Sequence, residues 1–241
     1  MLLTLSVCDL IEATPRSRIV RLDLGRQKFS YRAGQALFVG THSQAARRPY
    51  SIASAPEEAE QHGWLELLVQ LGDDRVSPPH LEGLAIGALV DIDGPHGTFG
   101  FPDGRAERHF LFIAGGSGIA PLRAMLWHLL LSPAAVSGSG KNVQMSLLYS
   151  ARTPDEFAYT DELDRLAAEE RLQLRRTVTR GSSADWSGHL GRISAEHLSA
   201  LLVDEATLCF ICGPRSLVNE MPALLRGLGI SEERIMIEEW E

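Results

Sequence analysis

Residues 109–121 read HFLFIAGGSGIAP, and the chain continues as PLRAMLWHLLL (121–131). The apolar run 109–114 predicts a strand buried on both faces, and 121–131 predicts a helix. Between them Gly115, Gly116 and Gly118 keep the turn clear of side chains. That spacing differs from the G-x-G-x-x-G fingerprint, yet it serves the same physical end: a sharp strand-to-helix turn whose amides face a bound anion.

Working outward from this turn, VQMSLLYSA (143–151), LQLRRTVTR (172–180) and TLCFICGP (207–214) read as strands. FAYTDELDRLAAE (157–169) and the segment around VNEMPALLRGLG (218–229) read as amphipathic helices. Alternation of β and α units predicts a doubly wound parallel sheet. On the N-terminal side the rhythm is different. LTLSVCDLI, RIVRLDL, ALFVGTHS, YSIASA, WLELLVQL and ALVDIDGP are short β runs separated by turns, which predicts an antiparallel β-barrel. Two domains are therefore expected, 1–103 and 104–241, with FPDGRAER (101–108) as linker and SPAAVSGSGK (132–141) as a surface loop.

Within the expected barrel, RRPYSIASAP contains Arg48, Pro49, Tyr50 and Ser51. A flavin asks for a cation on its pyrophosphate, a flat ring against the isoalloxazine and a hydroxyl near N5, and this motif carries all three. Arg48 and Tyr50, two apart on a strand, share a face, and Ser51 points the other way. GPHGTFG (94–100) follows before the glycine turn, and CFICGP (209–214) comes near the end. Cys209 and Cys212 form a C-x-x-C, but the apolar strand around them reads as buried packing rather than a redox dithiol.

Composition agrees with this reading without producing it. The 241 residues are 44% hydrophobic and 22% charged, an ordinary globular balance, with a net charge of −8. No segment is strongly basic, which argues against nucleic acid as partner. No signal peptide or membrane span is legible, so the expected location is cytoplasmic.

In this order and spacing the motifs resemble the ferredoxin-NADP reductase family, and the resemblance covers nearly the whole chain. It implies a flavin-binding barrel followed by an NAD(P)-binding domain, with FAD passing electrons between NADPH or NADH and an acceptor. On the flavin side it assigns Arg48, Pro49, Tyr50 and Ser51, together with Val69, Arg75, Ser77, Gly97 and Thr98. On the nucleotide side it assigns Gly115, Gly116, Gly118, Pro121, Gly213 and Pro214. Tyr50, Ser51, Cys212 and Trp240 are the residues it places at the reacting rings. One departure stands out, because Asp74 replaces a glycine of the family's pyrophosphate turn before Ser77. That departure keeps open a flavin reductase using diffusible flavin, alongside a non-catalytic nucleotide-sensing subunit.

Arg152, Arg180 and Arg192 follow successive strands, where arginines in the family meet a 2′-phosphate, and favour NADPH. Three cysteines cannot supply an iron–sulfur cluster, so the expected acceptor is a separate protein carrier or small molecule. Arg16, Arg18, Arg21, Arg26, Lys28 and Arg32 concentrate positive charge that would steer an acidic carrier. The sequence does not set an oligomeric state.

Overall fold

The structure, a computed structural model, describes residues 2–72, 81, 83–104, 107–131, 143–180 and 186–238. Its N-terminal half is an antiparallel sheet of β1 (Leu2–Thr14), β2 (Ser17–Asp23), β3 (Ala36–Thr41), β4 (Arg48–Ser51), β5 (Trp64–Gln70) and β6 (Leu89–His96). The order is β4-β3-β6-β1-β2-β5. Just past β4, Ile52 bridges Leu67 of β5, and the Ala53 amide donates to the Glu66 carbonyl at 2.8 Å. The two edges thereby meet and the sheet closes as a barrel, which removes unpaired edges. Alternate residues such as Leu22, Leu37, Leu65, Leu67 and Ile92 fill its interior and are fully buried.

Between β4 and β5 lies a short helix, α1 (Pro56–His62), that the hydrophobic pattern does not predict. Pro56 suits its first turn, the Glu58 carboxylate accepts the Ala55 amide at 2.8 Å, and Gly63 ends it in the left-handed region at φ 76°.

The C-terminal half runs β7 (His109–Gly115), α2 (Ile119–Leu131), β8 (Gln144–Ala151), α3 (Thr160–Ala168), β9 (Gln173–Val178), β10 (His189–Leu190), α4 (Ala195–Ser199), β11 (Leu208–Cys212), α5 (Arg215–Gly227) and β12 (Ile235–Glu238). All strands are parallel in the order β10-β9-β8-β7-β11-β12. The chain winds one way from β7 to β10, then returns to place β11 on the other side of β7. This reversal leaves a crevice at the carboxyl ends of β7 and β11, where open α/β sheets bind ligands.

Several expectations need correcting. The helix expected over 157–169 begins only at Thr160, because Pro154–Glu156 is a 3-10 turn and Tyr159 takes φ 61°. The connector 101–108 is not a free tether. Phe99 and Phe101 pack edge-on against Phe210 at 6.0 and 5.1 Å, which seats the connector in the core of the C-terminal half. Two of the basic residues near the N-terminus are engaged with carboxylates. Arg21 turns to Glu66 (2.9 Å) and Asp9 (3.2 Å) and lies over Trp64, while Arg32 faces Asp103 at 3.6 Å. Strand alternation puts Cys209 with Leu111 and Ile113, and Cys212 with Phe110 and Phe112, on opposite faces of the sheet. A Cys209–Cys212 disulfide therefore cannot close.

On the outer barrel wall Asp91 accepts from Thr4 Oγ1 (2.7 Å), the Ser43 amide (3.1 Å) and, with Nδ1 protonated, the His42 ring (2.9 Å). These bonds, His42 first, pull its pKa down to about 2. A depressed folded pKa stabilises above the unfolded value and loses that stability as pH falls through the folded one. Asp91→Asn should therefore lower the thermal midpoint at neutral pH, with the deficit shrinking as pH falls from 5 towards about 2. Thermal melts across that range check it, and a pH-independent deficit would mean that packing, not charge, is lost.

Candidate active site

The crevice between the halves is a cleft of about 910 Å³. That is near the upper end of the roughly 300–1,000 Å³ of small-molecule sites. One wall is β4 and the β1–β2 turn of the barrel. The floor is the carboxyl ends of β7 and β11.

β4 is laid down by pairing with β3, Arg48 opposite Val39 and Tyr50 opposite Leu37. Arg48, Pro49, Tyr50 and Ser51 all line the cleft, Tyr50 half-buried with the Arg48 guanidinium 6.0 Å from its ring, Ser51 buried. On the adjoining strand β5, Leu68 and Gln70 face the cleft while Val69 packs into the barrel interior, as a period of two requires.

Gly115, Gly116 and Gly118 form the floor. Residues 116–118 make a 3-10 turn that runs straight into α2, and Gly116 sits at φ 53°, in the left-handed region, with open space where a Cβ would be. Gly118 is pressed against the end of β11: a Cβ there would run into the Cys212 carbonyl group and meet the Gly213 nitrogen at 2.7 Å. Tyr149 of β8 fixes the turn from below, its hydroxyl donating to the Gly116 carbonyl at 3.1 Å and accepting the Ala158 amide at 3.3 Å. Burial pushes the Tyr149 pKa up, so the hydroxyl keeps its proton and its role as donor. The sequence gives no sign of this, since a tyrosine on an apolar strand reads as core.

Cys212, Gly213 and Pro214 complete the floor, and α5 starts directly after them with Arg215 and Ser216 in the lining. Arg152, Arg180 and Arg192 stand at the far end. With Arg16, Arg48 and Arg215 they make six arginines, against Glu156 and Glu220 as the acidic lining residues among those described. Arg192 is held by Glu220 at 2.6 Å, and Arg16 reaches across the cleft to Glu156 at 3.7 Å. A positive cleft in a chain of net charge −8 suits a ligand with several phosphates.

Gly97 and Thr98 lie in the turn after β6, away from this lining, and Gly97 accepts Gln35 Nε2 at 3.0 Å. Pro121 is buried in the first turn of α2, where its missing N–H costs nothing. Arg75, Ser77 and Trp240 fall outside the described residues. Glu238 ends β12 opposite Cys212, and burial raises its pKa to about 7.

These features fit the expected cofactors. Arginines suit the phosphates, Tyr50 offers a ring face, and a glycine-rich turn at the N-terminus of α2, with Ser117 as its one side chain, has room for a pyrophosphate. Comparison with known proteins decides the family. Models of an oxidoreductase FAD-binding domain and an oxidoreductase NAD-binding domain match residues 5–101 and 112–222. Ferredoxin--NADP reductase B of Sorangium cellulosum (strain So ce56) is 31% identical over 246 residues, covering 96% of each chain. The chain belongs to the ferredoxin-NADP reductase-like superfamily.

As a member it is an FAD-dependent NAD(P)H oxidoreductase that passes electrons through the flavin. The zebrafish (Danio rerio) oxidoreductase NAD-binding domain-containing protein 1 is 29% identical over 247 residues, covering 97% of this chain and 90% of that one. Among solved structures, a ferredoxin NADP+ reductase from Neisseria gonorrhoeae with bound FAD and NADP superposes at a TM-score of 0.79 with 22% identity, covering 98% of both chains. Amycolatopsis cytochrome P450 reductase does so at 0.83 with 22% identity, covering 99% of this chain and 70% of that one. At such identities the likeness is one of fold. No helix among the described residues is long and apolar enough to cross a membrane.

When bound, FAD would supply a two-electron acceptor for the nicotinamide that can pass electrons on singly or in pairs. The chain's part is to bind, align and exclude water. Ser51 is a buried hydroxyl at the cleft wall whose Oγ could hold a proton, and the arginines of the lining would hold the pyrophosphates of the two cofactors in place.

Proposed function

We propose that this chain oxidises NADPH in preference to NADH and delivers the electrons to a separate carrier such as a ferredoxin, a flavodoxin or an oxygenase component. The observation that carries this reading is the convergence of Arg48, Tyr50 and Ser51 with the glycine turn on one arginine-lined cleft. In this reading 1–103 is the FAD-binding domain and 104–241 the NAD(P)-binding domain, and the reaction takes place in the cytoplasm. The names of relatives divide: one is a ferredoxin reductase, and another, 28% identical over 207 residues, is NADH-cytochrome b5 reductase 1 of Debaryomyces hansenii.

For the 2′-phosphate, Arg180 is the leading residue, since Arg192 is engaged by Glu220. Arg180→Ala should raise KM for NADPH about tenfold, the loss of one charged hydrogen bond, and leave KM for NADH nearly unchanged. Anaerobic bleaching of the FAD-loaded protein by each nucleotide, wild type and variant, tests both points. A protein that turns over NADH far better than NADPH sinks the nucleotide choice. A colourless protein that oxidises NAD(P)H only when flavin is added is a flavin reductase instead.

A further inference from the structure

Arg123 is the fifth residue of α2, and it is buried, 4% exposed, where the two halves meet. Its guanidinium uses all five N–H groups. Nε and Nη2 donate to the two oxygens of Glu162 at 2.8 and 2.7 Å, on α3 of its own half. Nη1 and Nη2 donate to the two oxygens of Glu58 at 3.1 and 3.0 Å, on α1 of the barrel half. The fifth bond, from Nη1, goes to the Ala53 carbonyl at 2.9 Å. Tyr159 and Trp127 cover the cation at 4.9 and 5.8 Å.

Cohesion alone does not call for such a group. Apolar contacts already join the halves, with Ile19, Ala53, Leu68 and Phe99 of the barrel side in one cluster with Phe112, Leu122 and Phe210. Apolar packing is non-directional, and an ion cluster in the same place is costly, since each buried charge must be stripped of water. The cost is visible in Glu58, whose pKa burial drives up even beside Arg123. Glu66 adds to it, with a buried Oε1 that lies 3.6 Å from Arg123 Nη1 beyond hydrogen-bond reach. Direction is what the cluster supplies: two bidentate pairs and a carbonyl bond fix the guanidinium plane against both halves.

The position of those anchors connects them to the cleft. Gly118 is five residues before Arg123, about 7.5 Å along the helix. Ala53 is two residues past Ser51, about 7 Å along an extended chain. One rigid planar group thus links the glycine turn of the nucleotide wall to the end of the Arg48–Ser51 strand of the flavin wall.

We propose that Arg123 is the positioning residue that sets the flavin wall against the nucleotide wall for hydride transfer. The inference rests on the flavin and nucleotide assignments above. A misplacement of the order of 1 Å costs roughly 10²-fold in rate. Arg123→Met should therefore slow anaerobic hydride transfer about 10- to 100-fold, while FAD content and the Kd for NAD(P)+ stay within about twofold. Lysine, with three donors in place of a planar five, should recover little of the rate. In flavin-free protein, amide exchange at 53–58 and 119–125 should speed up about tenfold or more in Arg123→Met, with the far barrel strands unchanged.

The variant Arg123→Met/Glu58→Gln/Glu162→Gln separates positioning from charge neutralisation. It removes the buried repulsion and should regain thermal stability but not hydride transfer. Recovery of the wild-type rate in it would overturn the proposal, as would unchanged hydride transfer in Arg123→Met. Should Arg123→Met fail to fold, Glu162→Gln keeps the arginine and loosens one bidentate pair. A slower hydride step with unchanged nucleotide affinity then supports the proposal, and an unchanged step overturns it. A wild-type protein that transfers no hydride from either nucleotide refutes the functional reading instead, and the exchange measurement still reports whether Arg123 couples the halves.

Discussion

Gly118→Ala is expected to be the most damaging single-methyl change in the C-terminal half. The added Cβ runs into the carbonyl group of Cys212 and meets the nitrogen of Gly213 at 2.7 Å, all backbone at the end of a buried strand. No flexible side chain can yield, so β7 and β11 must part at the ends that form the cleft floor. The loss of stability should reach or exceed the roughly 1–3 kcal/mol of ordinary overpacking, and nucleotide binding should go with it. Gly116→Ala is the control. It enters open space and bears the strain of φ 53°, of order 1–2 kcal/mol, without forcing strands apart. Denaturant midpoints of the two variants decide the matter, and a milder Gly118→Ala would mean that the turn does not press on β11 as described.

Arg48→Ala should act on the cofactor and leave the fold intact. Arg48 is half-buried at the cleft wall beside Tyr50. Losing one charged hydrogen bond to a phosphate weakens binding by roughly 1.5–3 kcal/mol, about 10- to 150-fold. The flavin-to-protein ratio after exhaustive dialysis should fall accordingly, while the melting point of the flavin-free protein stays near that of wild type. Equal flavin retention in both proteins would remove Arg48 from the site.

The glycine turn, the Arg48–Ser51 strand and the Cys212–Pro214 end were legible because their chemistry is local: a few contiguous residues decide it. The cluster at Arg123 was not. Glu58 and Glu162 stand about a hundred residues apart, and each reads alone as a solvated helix charge. Helix α1, which carries Glu58, is seven residues of mostly polar sequence, too short for its pattern to register. At Val69 the pleat supplies what the motif leaves open, since its side chain packs into the barrel interior while those of Leu68 and Gln70 face the cleft. Strands β10 and β12 escaped notice because two and four residues carry too little periodicity.

The return of β11 to the middle of its sheet also has a temporal meaning. β7 pairs with β8 across 35 residues, His109 to Gln144, but Leu111 waits 98 residues for Cys209. As the chain leaves the ribosome, β7 therefore spends the synthesis of β8 to β10 with one apolar edge open, and such edges invite pairing with another chain. The floor of the cleft closes late, so a product cut short before Leu208 should aggregate rather than accumulate as a smaller nucleotide-binding protein.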